Sequence, residues 1–317
     1  MNLNSNNIEL DVINLHRNLR SGFYRLLFNG LNLPVRYRQG FNDTMIVIFH
    51  GAIDQSQRKM PHFQSLLPEL KNCHQISIAD PTLALDPSIK SGWYLGGESM
   101  PLQMELPNLL RYLSELNGVN KRIYLGGSSG GFAALYYSLM DPGSVCIAVN
   151  PQTRLTAYLP NPVKNFLKYA WPDAKSIENV GHQLVTDLPA AYAKGFANMV
   201  IYLQSTGDLL HFTTQMPAFC DAGLKKPEQF ILNCGYWGIP GHSNSVPSKE
   251  YYMWVKAVVA AKWFDRQSIL DNYHLIVART AAATHNQSQQ LREKVVTTGE
   301  VLLADQLRDY HLCIPNG

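Results

Sequence analysis

The sequence predicts an α/β protein built on a doubly wound, mostly parallel sheet, and three observations lead to this class. Short apolar runs typical of strands alternate with helical segments along most of the chain. The run over residues 44–49 is continuously apolar, as expected for a strand that is covered on both faces. A chain of 317 residues with 46% hydrophobic content is also long enough to bury a large core around such a sheet.

The strands follow from apolar runs bounded by turn residues. Two antiparallel strands joined at Asn29-Gly30 are expected first, because this dipeptide favours a tight hairpin turn. Residues 8–20 fit either a strand or a short helix. The hairpin strands and the later buried strands are predicted at residues 23–28, 33–38, 44–49, 74–81 (a strand with its exit), 122–125, 145–149, 199–203 and 229–234.

Helical segments are predicted between these strands. Leucines recur at helical spacing from residue 101 to 116, and Asn117-Gly118 follows as a stop. A helix beginning near Pro247 has proline in its first turn, and a shorter one is predicted over residues 61–70. The chain then divides into an N-terminal extension (1–21), a central domain (22–265) and a helical C-terminal appendage (266–317).

Residues 152–188 interrupt the alternation of strands and helices. This stretch is rich in proline and aromatic residues and is too long for a simple connection. An insertion of this kind after a strand is often a lid over the site, and we predict a lid here. The alternative is an ordinary pair of helices whose aromatic residues pack in the core.

The rest of the chain is organised around residues 122–138, where an apolar strand meets Gly-Gly-Ser-Ser-Gly-Gly (126–131) and continues as a helix. Such a strand, turn and helix would lift a serine out of the sheet on a strained backbone. The pattern G-x-S-x-G fits with either Ser128 or Ser129 at its centre. Ser128 is favoured, because the other frame puts the bulky Phe132 where close packing is needed. A flexible linker would not be flanked by these apolar runs, and a phosphate loop would require a following Gly-Lys.

Two further candidate catalytic residues, Asp208 and His242, each follow a predicted strand. Because parallel strands end at one edge of a sheet, both are expected to lie near Ser128. A serine hydroxyl needs a base within hydrogen-bond reach and a carboxylate that orients the base. His211 is disfavoured as the base, since it shares the loop of Asp208. Asp187 and Asp221 are less favoured as the orienting carboxylate, because no strand directly precedes them.

The end of the 44–49 strand reads His50-Gly51-Ala52. In serine hydrolases the loop after this strand supplies one of the two amide donors to the oxyanion, and here that donor would be near Ala52. The alternative is a plain turn with a surface histidine.

On these residues the chain resembles the α/β-hydrolase superfamily over about residues 22–265. The chain order serine, aspartate, histidine is the order of that fold. The resemblance implies that Ser128 is the nucleophile, His242 the general base and then acid, and Asp208 the orienting carboxylate. It implies no metal and no organic cofactor. The oxyanion donors that it implies are the amides of Ser129 and of Ala52 or Gly51.

Four further residues are candidates for a substrate pocket. Trp93 and Tyr94 lie in a glycine-rich loop, where they would either line a pocket or pack against the core. Trp171 belongs to the predicted lid, and His50 stands at the strand end beside the expected oxyanion donors.

Composition excludes several classes of function. The 27 basic and 24 acidic residues give a net charge of +3, and no basic run with interleaved aromatics argues for nucleic acid. The polar N-terminus lacks the layout of a secretory signal and no apolar run is long enough for a membrane span, so a cytoplasmic location is expected. Five scattered cysteines indicate neither a disulfide framework nor a zinc site.

The sequence thus predicts a serine hydrolase that cleaves an ester or related acyl bond of a small-molecule or acylated substrate. Two alternatives stay open. One is an acyltransferase or thioesterase that uses the same triad. The other is a hydrolase-like binding or assembly protein of a bacterial glycan or secretion system. The extra surface at residues 23–38 and after 268 would suit a partner, including a second copy of the chain.

Overall fold

The computed structural model describes residues 8–12 and 19–298, with side chains described over residues 9–12 and 19–283. Nine strands of this described part form one sheet. They are β1 Ile8–Asp11, β2 Gly22–Phe28, β3 Leu31–Arg38, β4 Thr44–Phe49, β5 His74–Ile78, β6 Lys121–Gly127, β7 Val145–Val149, β8 Met199–Ser205 and β9 Phe230–Gly235. Their order across the sheet is β1-β2-β3-β5-β4-β6-β7-β8-β9.

The sheet is mostly parallel, as the sequence predicts. From β5 to β9 all neighbouring strands pair in parallel, whereas β3 runs antiparallel to both β2 and β5. The predicted hairpin is formed by β2 and β3. Its turn residues Asn29 and Gly30 have φ values of 45° and 81°, the left-handed conformation that this dipeptide adopts readily.

Helices cover both faces of the sheet. They are α1 Leu102–Leu116, α2 Ser129–Leu139, α3 Pro160–Ala170, α4 Ile177–Val180, α5 Leu188–Tyr192, α6 Met216–Gly223, α7 Ser248–Ala260 and α8 Arg266–Thr298. Within β4, Val47 packs in a core with residues of α1, α2 and α3, while Ile46 and Ile48 pack in a second core with residues of α7 and α8. Successive side chains of a strand point to opposite faces, so an unbroken apolar run supplies both cores.

The helix predicted over residues 61–70 does not form, and this segment is irregular. Pro61 and Pro68 lack the backbone N–H that a helix interior requires. The buried side chain of Gln75 instead accepts a hydrogen bond from the Leu67 amide at 2.7 Å and donates to the Leu67 carbonyl at 3.0 Å. A tertiary contact from β5 thus replaces the helical hydrogen bonds of this segment.

The ends of the chain extend the sheet and the helical layer. Residues 8–11 form β1, which pairs in parallel with β2. Residues 13–18 of the ambiguous segment and residues 299–317 of the C-terminal appendage lie outside the described part. The appendage begins with α8, a helix of 33 residues. Among the described helices, none combines the length and the apolar character needed to cross a membrane.

Candidate active site

Ser128 lies at a sharp turn between β6 and α2, with φ 58° and ψ −122°. A left-handed φ is strained for a residue with a side chain and persists only where surrounding contacts hold it. Here the Ser128 amide donates to the Val149 carbonyl at 3.0 Å, and the Ser128 carbonyl accepts from the amides of Phe132 and Gln152, both at 3.2 Å. The sheet and the helix together hold the serine at the tip of the turn.

The glycines around this turn allow its layers to pack closely. A Cβ atom on Gly126 would lie 2.0 Å from the carbonyl oxygen of Gly130, and one on Gly130 would lie 2.6 Å from the carbonyl oxygen of His50. Neither position tolerates a side chain without a backbone shift. These glycines flank Ser128 symmetrically, two residues before and two after, which fits the frame centred on Ser128. Ser129 is instead a buried residue in the first turn of α2.

Asp208 and His242 lie on the loops that follow β8 and β9. The His242 Nδ1 atom donates to Asp208 Oδ2 at 2.5 Å. Burial by itself would raise the pKa of Asp208, but hydrogen bonds from His211 and His242 outweigh it, so this pKa lies below its ordinary value. The carboxylate is therefore ionised, and it directs the other nitrogen of His242, Nε2, away from itself.

His211 is a second histidine on the same carboxylate. Its Nδ1 atom donates to Asp208 Oδ1 at 2.9 Å, and its ring stacks on that of His242. The His211 side chain is only 3% exposed, whereas that of His242 is 37% exposed. Burial lowers the pKa of His211, against the opposing effect of its bond to Asp208. His211 is thus a neutral, buried partner of the carboxylate.

Gln152 contacts Ser128, and the sequence analysis does not identify it. Its Nε2 atom donates to Ser128 Oγ at 2.9 Å, and its Oε1 atom accepts from Trp93 Nε1 at 2.5 Å. Gln152 follows β7 by three residues, so the strand-end rule that identified Asp208 applies to it as well. A neutral amide does not stand out in sequence as a histidine or carboxylate does.

Asn150, also just past β7, ties the histidine loop to the sheet. Its side chain accepts from the Ser205 amide at 2.8 Å and donates to Ser245 Oγ at 2.9 Å. The Ser245 hydroxyl in turn donates to the His242 carbonyl at 3.2 Å. This chain of contacts fixes the backbone of His242.

A cavity of about 650 Å³ opens beside these residues. Ser128 and His242 both line it, together with Gly51 and Ala52. A Cβ atom on Gly51 would lie 3.5 Å from Ser128 Cβ, so this loop adjoins the serine. Ser129 is the first residue of α2, so its amide has no acceptor within the helix. That these amides hold an oxyanion stays a prediction.

The four predicted pocket residues do not line this cavity. Trp93 and Tyr94 are each 1% exposed and pack in the core. Trp171 is buried as well. His50 is held by backbone groups, since its Nε2 atom accepts from the Asp80 amide at 3.1 Å and its Nδ1 atom bonds the Gly51 carbonyl. Burial lowers the pKa of His50 to about 4.

The predicted lid contributes no side chain to the lining of this cavity. Residues 152–188 contain α3 and α4 and end at the first residue of α5. Within this segment, Leu155 and Phe166 are buried in the core. The ring of Tyr158 lies between Trp93 and His211, 6.0 Å from each ring centroid. This packing is that of the alternative interpretation, in which the aromatic residues of the segment pack in the core.

Within the described side chains, one group has the composition of a metal site: Asp208, His211 and His242, whose candidate ligand atoms lie within 4.8 Å of one another. Tetrahedral ligands about 2.0–2.2 Å from an ion are more than about 3 Å apart. The two Nδ1 atoms instead lie 2.5 and 2.9 Å from the carboxylate oxygens, as hydrogen-bonded pairs do. The geometry is that of a carboxylate shared by two imidazoles.

No protein-family model and no curated protein sequence matches this chain. Solved structures do match. The capsule O-acetyltransferase of Neisseria meningitidis serogroup A has a TM-score of 0.56 at 18% identity, over 75% of this chain and 96% of that chain. Pyrococcus horikoshii acylaminoacyl peptidase has a TM-score of 0.55 at 16% identity, over 80% of this chain and 44% of that chain.

An acylaminoacyl peptidase in complex with Z-Gly-Gly-Phe-chloromethyl ketone also matches, with a TM-score of 0.52 at 15% identity, over 77% of this chain and 41% of that chain. The mostly parallel sheet, the elbow after β6 and these neighbours together define the class: the chain has the α/β-hydrolase fold, as its sequence predicts. One of these neighbours is named as an O-acetyltransferase and two as acylaminoacyl peptidases.

Proposed function

We propose that this protein is a serine hydrolase that cleaves an ester or related acyl bond through an acyl-enzyme on Ser128. One observation carries the proposal. A serine on a strained elbow and a histidine bonded to a buried carboxylate border the same cavity. Strain at a serine is retained where the geometry serves a function, and an ionised carboxylate behind histidine serves general-base catalysis.

In the proposed reaction, His242 Nε2 takes the proton of Ser128 as Oγ attacks the acyl carbon. Amides at Ser129 and at Gly51 or Ala52 would hold the oxyanion, each contributing about 3 kcal/mol to barrier reduction. His242 then gives its proton to the leaving oxygen, and the acyl group stays on Ser128. Water, activated by the same histidine, releases the acid and restores the serine.

Acyl transfer to an alcohol is the second candidate, and the cavity favours it. Besides Asp54 and Arg58, its lining includes several residues with uncharged hydroxyl or amide side chains, which suit a hydroxylated acceptor. The same fold serves O-acetyl transfer in the capsule enzyme. The uncharged polar residues of the lining include Gln57, Gln64, Ser65, Ser243, Asn244 and Ser248. An alcohol that takes the place of water would yield a new ester with the same triad.

A graded set of p-nitrophenyl esters, from acetate to octanoate, tests the proposal. Wild type should release nitrophenol from at least the short esters, while Ser128→Ala should not. Product analysis by mass spectrometry with and without glycerol then separates the two reactions, because transfer gives a glycerol ester and hydrolysis gives only the acid. Equal turnover by wild type and folded Ser128→Ala would contradict the proposal.

A further inference from the structure

We infer that Gln152 is a catalytic residue, whose side-chain amide donates a hydrogen bond to Ser128 Oγ and stabilises that oxygen while His242 removes its proton. This rests on the proposed function, in which Ser128 is the nucleophile. The amide nitrogen lies 2.9 Å from Oγ, within hydrogen-bond distance. A donor at this distance favours the developing negative charge on oxygen.

The orientation of the amide is set by Trp93. An indole N–H only donates, so the atom 2.5 Å from it must be the amide oxygen. The two hydrogens of the amide nitrogen therefore face Ser128 and His211. Gln152 and Trp93 are 0% and 1% exposed, so water does not compete for the bond between them.

His211 fixes the same orientation from the other side. Its Nδ1 hydrogen is used on Asp208, which leaves Nε2 of the neutral ring as an acceptor. That Nε2 atom lies 3.4 Å from Gln152 Nε2. A flipped amide would turn its oxygen toward this lone pair and lose the indole bond. The buried histidine thus acts on the nucleophile through Gln152, as a positioning residue.

Gln152 also holds the strained backbone of the nucleophile. Its own amide donates to the Ser128 carbonyl at 3.2 Å, so Gln152 contacts Ser128 through both main chain and side chain. Because the side-chain amide occupies one lone pair of Oγ, the hydroxyl hydrogen points away from Gln152. In the reaction that hydrogen passes to His242 Nε2, and Gln152 keeps both of its own hydrogens.

The variant Gln152→Glu tests this directly. It keeps the shape of the side chain and an oxygen for Trp93, and it replaces the donor nitrogen with oxygen. An ionised glutamate cannot donate to Oγ and would attract the serine proton, whereas a protonated one donates as the amide does. The ratio of wild-type to variant rate should therefore grow with pH.

The measurement is the second-order rate of labelling by a fluorophosphonate, followed by intact mass from about pH 5 to about pH 9, a range that spans histidine titration. We expect Gln152→Glu to react about 100-fold more slowly than wild type at the alkaline end, with a smaller deficit at the acid end. A merely structural role would give a ratio that does not change with pH.

Gln215→Glu is the matched control. Gln215 is also fully buried, and its oxygen accepts from the Thr153 and Arg154 amides at 2.8 and 2.9 Å, but its hydrogen bonds do not involve Ser128. This control should keep the wild-type labelling rate.

Trp93→Phe is the second test, because it retains Gln152 and removes the group that orients it. It should label about tenfold more slowly than wild type, the effect of one lost hydrogen bond.

Each outcome decides between the two claims. Wild-type rates in folded Gln152→Glu, or a deficit that is the same at every pH, would overturn the role of Gln152 and leave Ser128 as the nucleophile. Absence of any label on wild type would overturn the proposed function and the role of Gln152 with it. If Gln152→Glu does not fold, a wild-type rate in Trp93→Phe overturns the inference and a slower rate supports it.

Discussion

His211 and His242 stack their imidazole rings with centroids 4.2 Å apart, and both donate from Nδ1 to the single carboxylate of Asp208. The two rings differ in what their other nitrogen meets. His211 Nε2 lies against the buried amide of Gln152, whereas His242 borders the cavity. One carboxylate therefore supports a proposed base and a positioning residue at once.

Removal of the two histidines should have different effects. We expect His242→Ala to slow acylation of Ser128 by about 10⁶-fold, because the base is lost. His211→Phe retains a stacked ring and should slow it by only about tenfold, through loss of one hydrogen bond. Burst kinetics with p-nitrophenyl acetate measures both. Losses of equal size would contradict this division of roles.

Loss of the carboxylate charge should also stop efficient catalysis. Asp208→Asn retains the shape of the side chain, but its amide can no longer favour a protonated His242. We expect a fall in acylation rate of about 10⁴-fold at neutral pH, in a protein that still folds. Acylation rates, with circular dichroism as the folding control, check this. A loss below tenfold would argue against the proposed triad.

Alanine substitutions at the two glycines before Ser128 should differ sharply in their effect on stability. A Cβ on Gly126 would lie 2.0 Å from a backbone oxygen, whereas the nearest atom to a Cβ on Gly127 is 3.5 Å away. We expect Gly126→Ala to lower the free energy of unfolding by more than about 3 kcal/mol, and Gly127→Ala to change it by less than about 1 kcal/mol. Urea unfolding measures both, and similar losses would contradict the packing of the elbow.

His50 should make the protein sensitive to acid. Its pKa in the folded protein is about 4, below the ordinary value of 6.5, so the unfolded chain binds its proton first. The stabilising contribution of neutral His50 is complete above pH 6.5 and falls as the pH drops toward 4, by up to about 3 kcal/mol. Below pH 4 this contribution no longer changes.

Unfolding free energies of wild type and His50→Asn across this pH range measure the effect. The variant should be less stable than wild type at neutral pH, because it loses the bond from the Asp80 amide. Its stability should fall less steeply between pH 6.5 and 4. Parallel curves for the two proteins would show that another group governs the acid response.

Asn150→Ala should loosen the loop of His242 without removing a side-chain contact of Ser128. It removes the donor to Ser245 and the acceptor for the Ser205 amide. We expect acylation about tenfold slower and a melting temperature several degrees lower, as for a lost pair of buried hydrogen bonds. Asn150→Asp keeps the acceptor and should recover part of the stability. A wild-type acylation rate in Asn150→Ala would exclude this positioning role.

The sequence predicted what depends on local pattern and strand order. The elbow, Asp208 and His242 could be found because each follows a strand, and parallel strands end at one edge. The irregular structure of residues 61–70 could not be predicted, since it depends on a hydrogen bond to Gln75 of β5. The side-chain orientation of Gln152 depends on Trp93, which is 59 residues away in the chain. Contacts of this kind follow from tertiary packing, which composition and periodicity do not encode.

The most direct test of the central claim is intact-mass analysis after fluorophosphonate treatment of wild type, Ser128→Ala and Ser129→Ala, each first checked for folding. Our account predicts a single adduct on wild type that is retained in Ser129→Ala and lost in Ser128→Ala. An adduct that persists in Ser128→Ala and disappears in Ser129→Ala would contradict it, and so would a folded wild type that takes up no label.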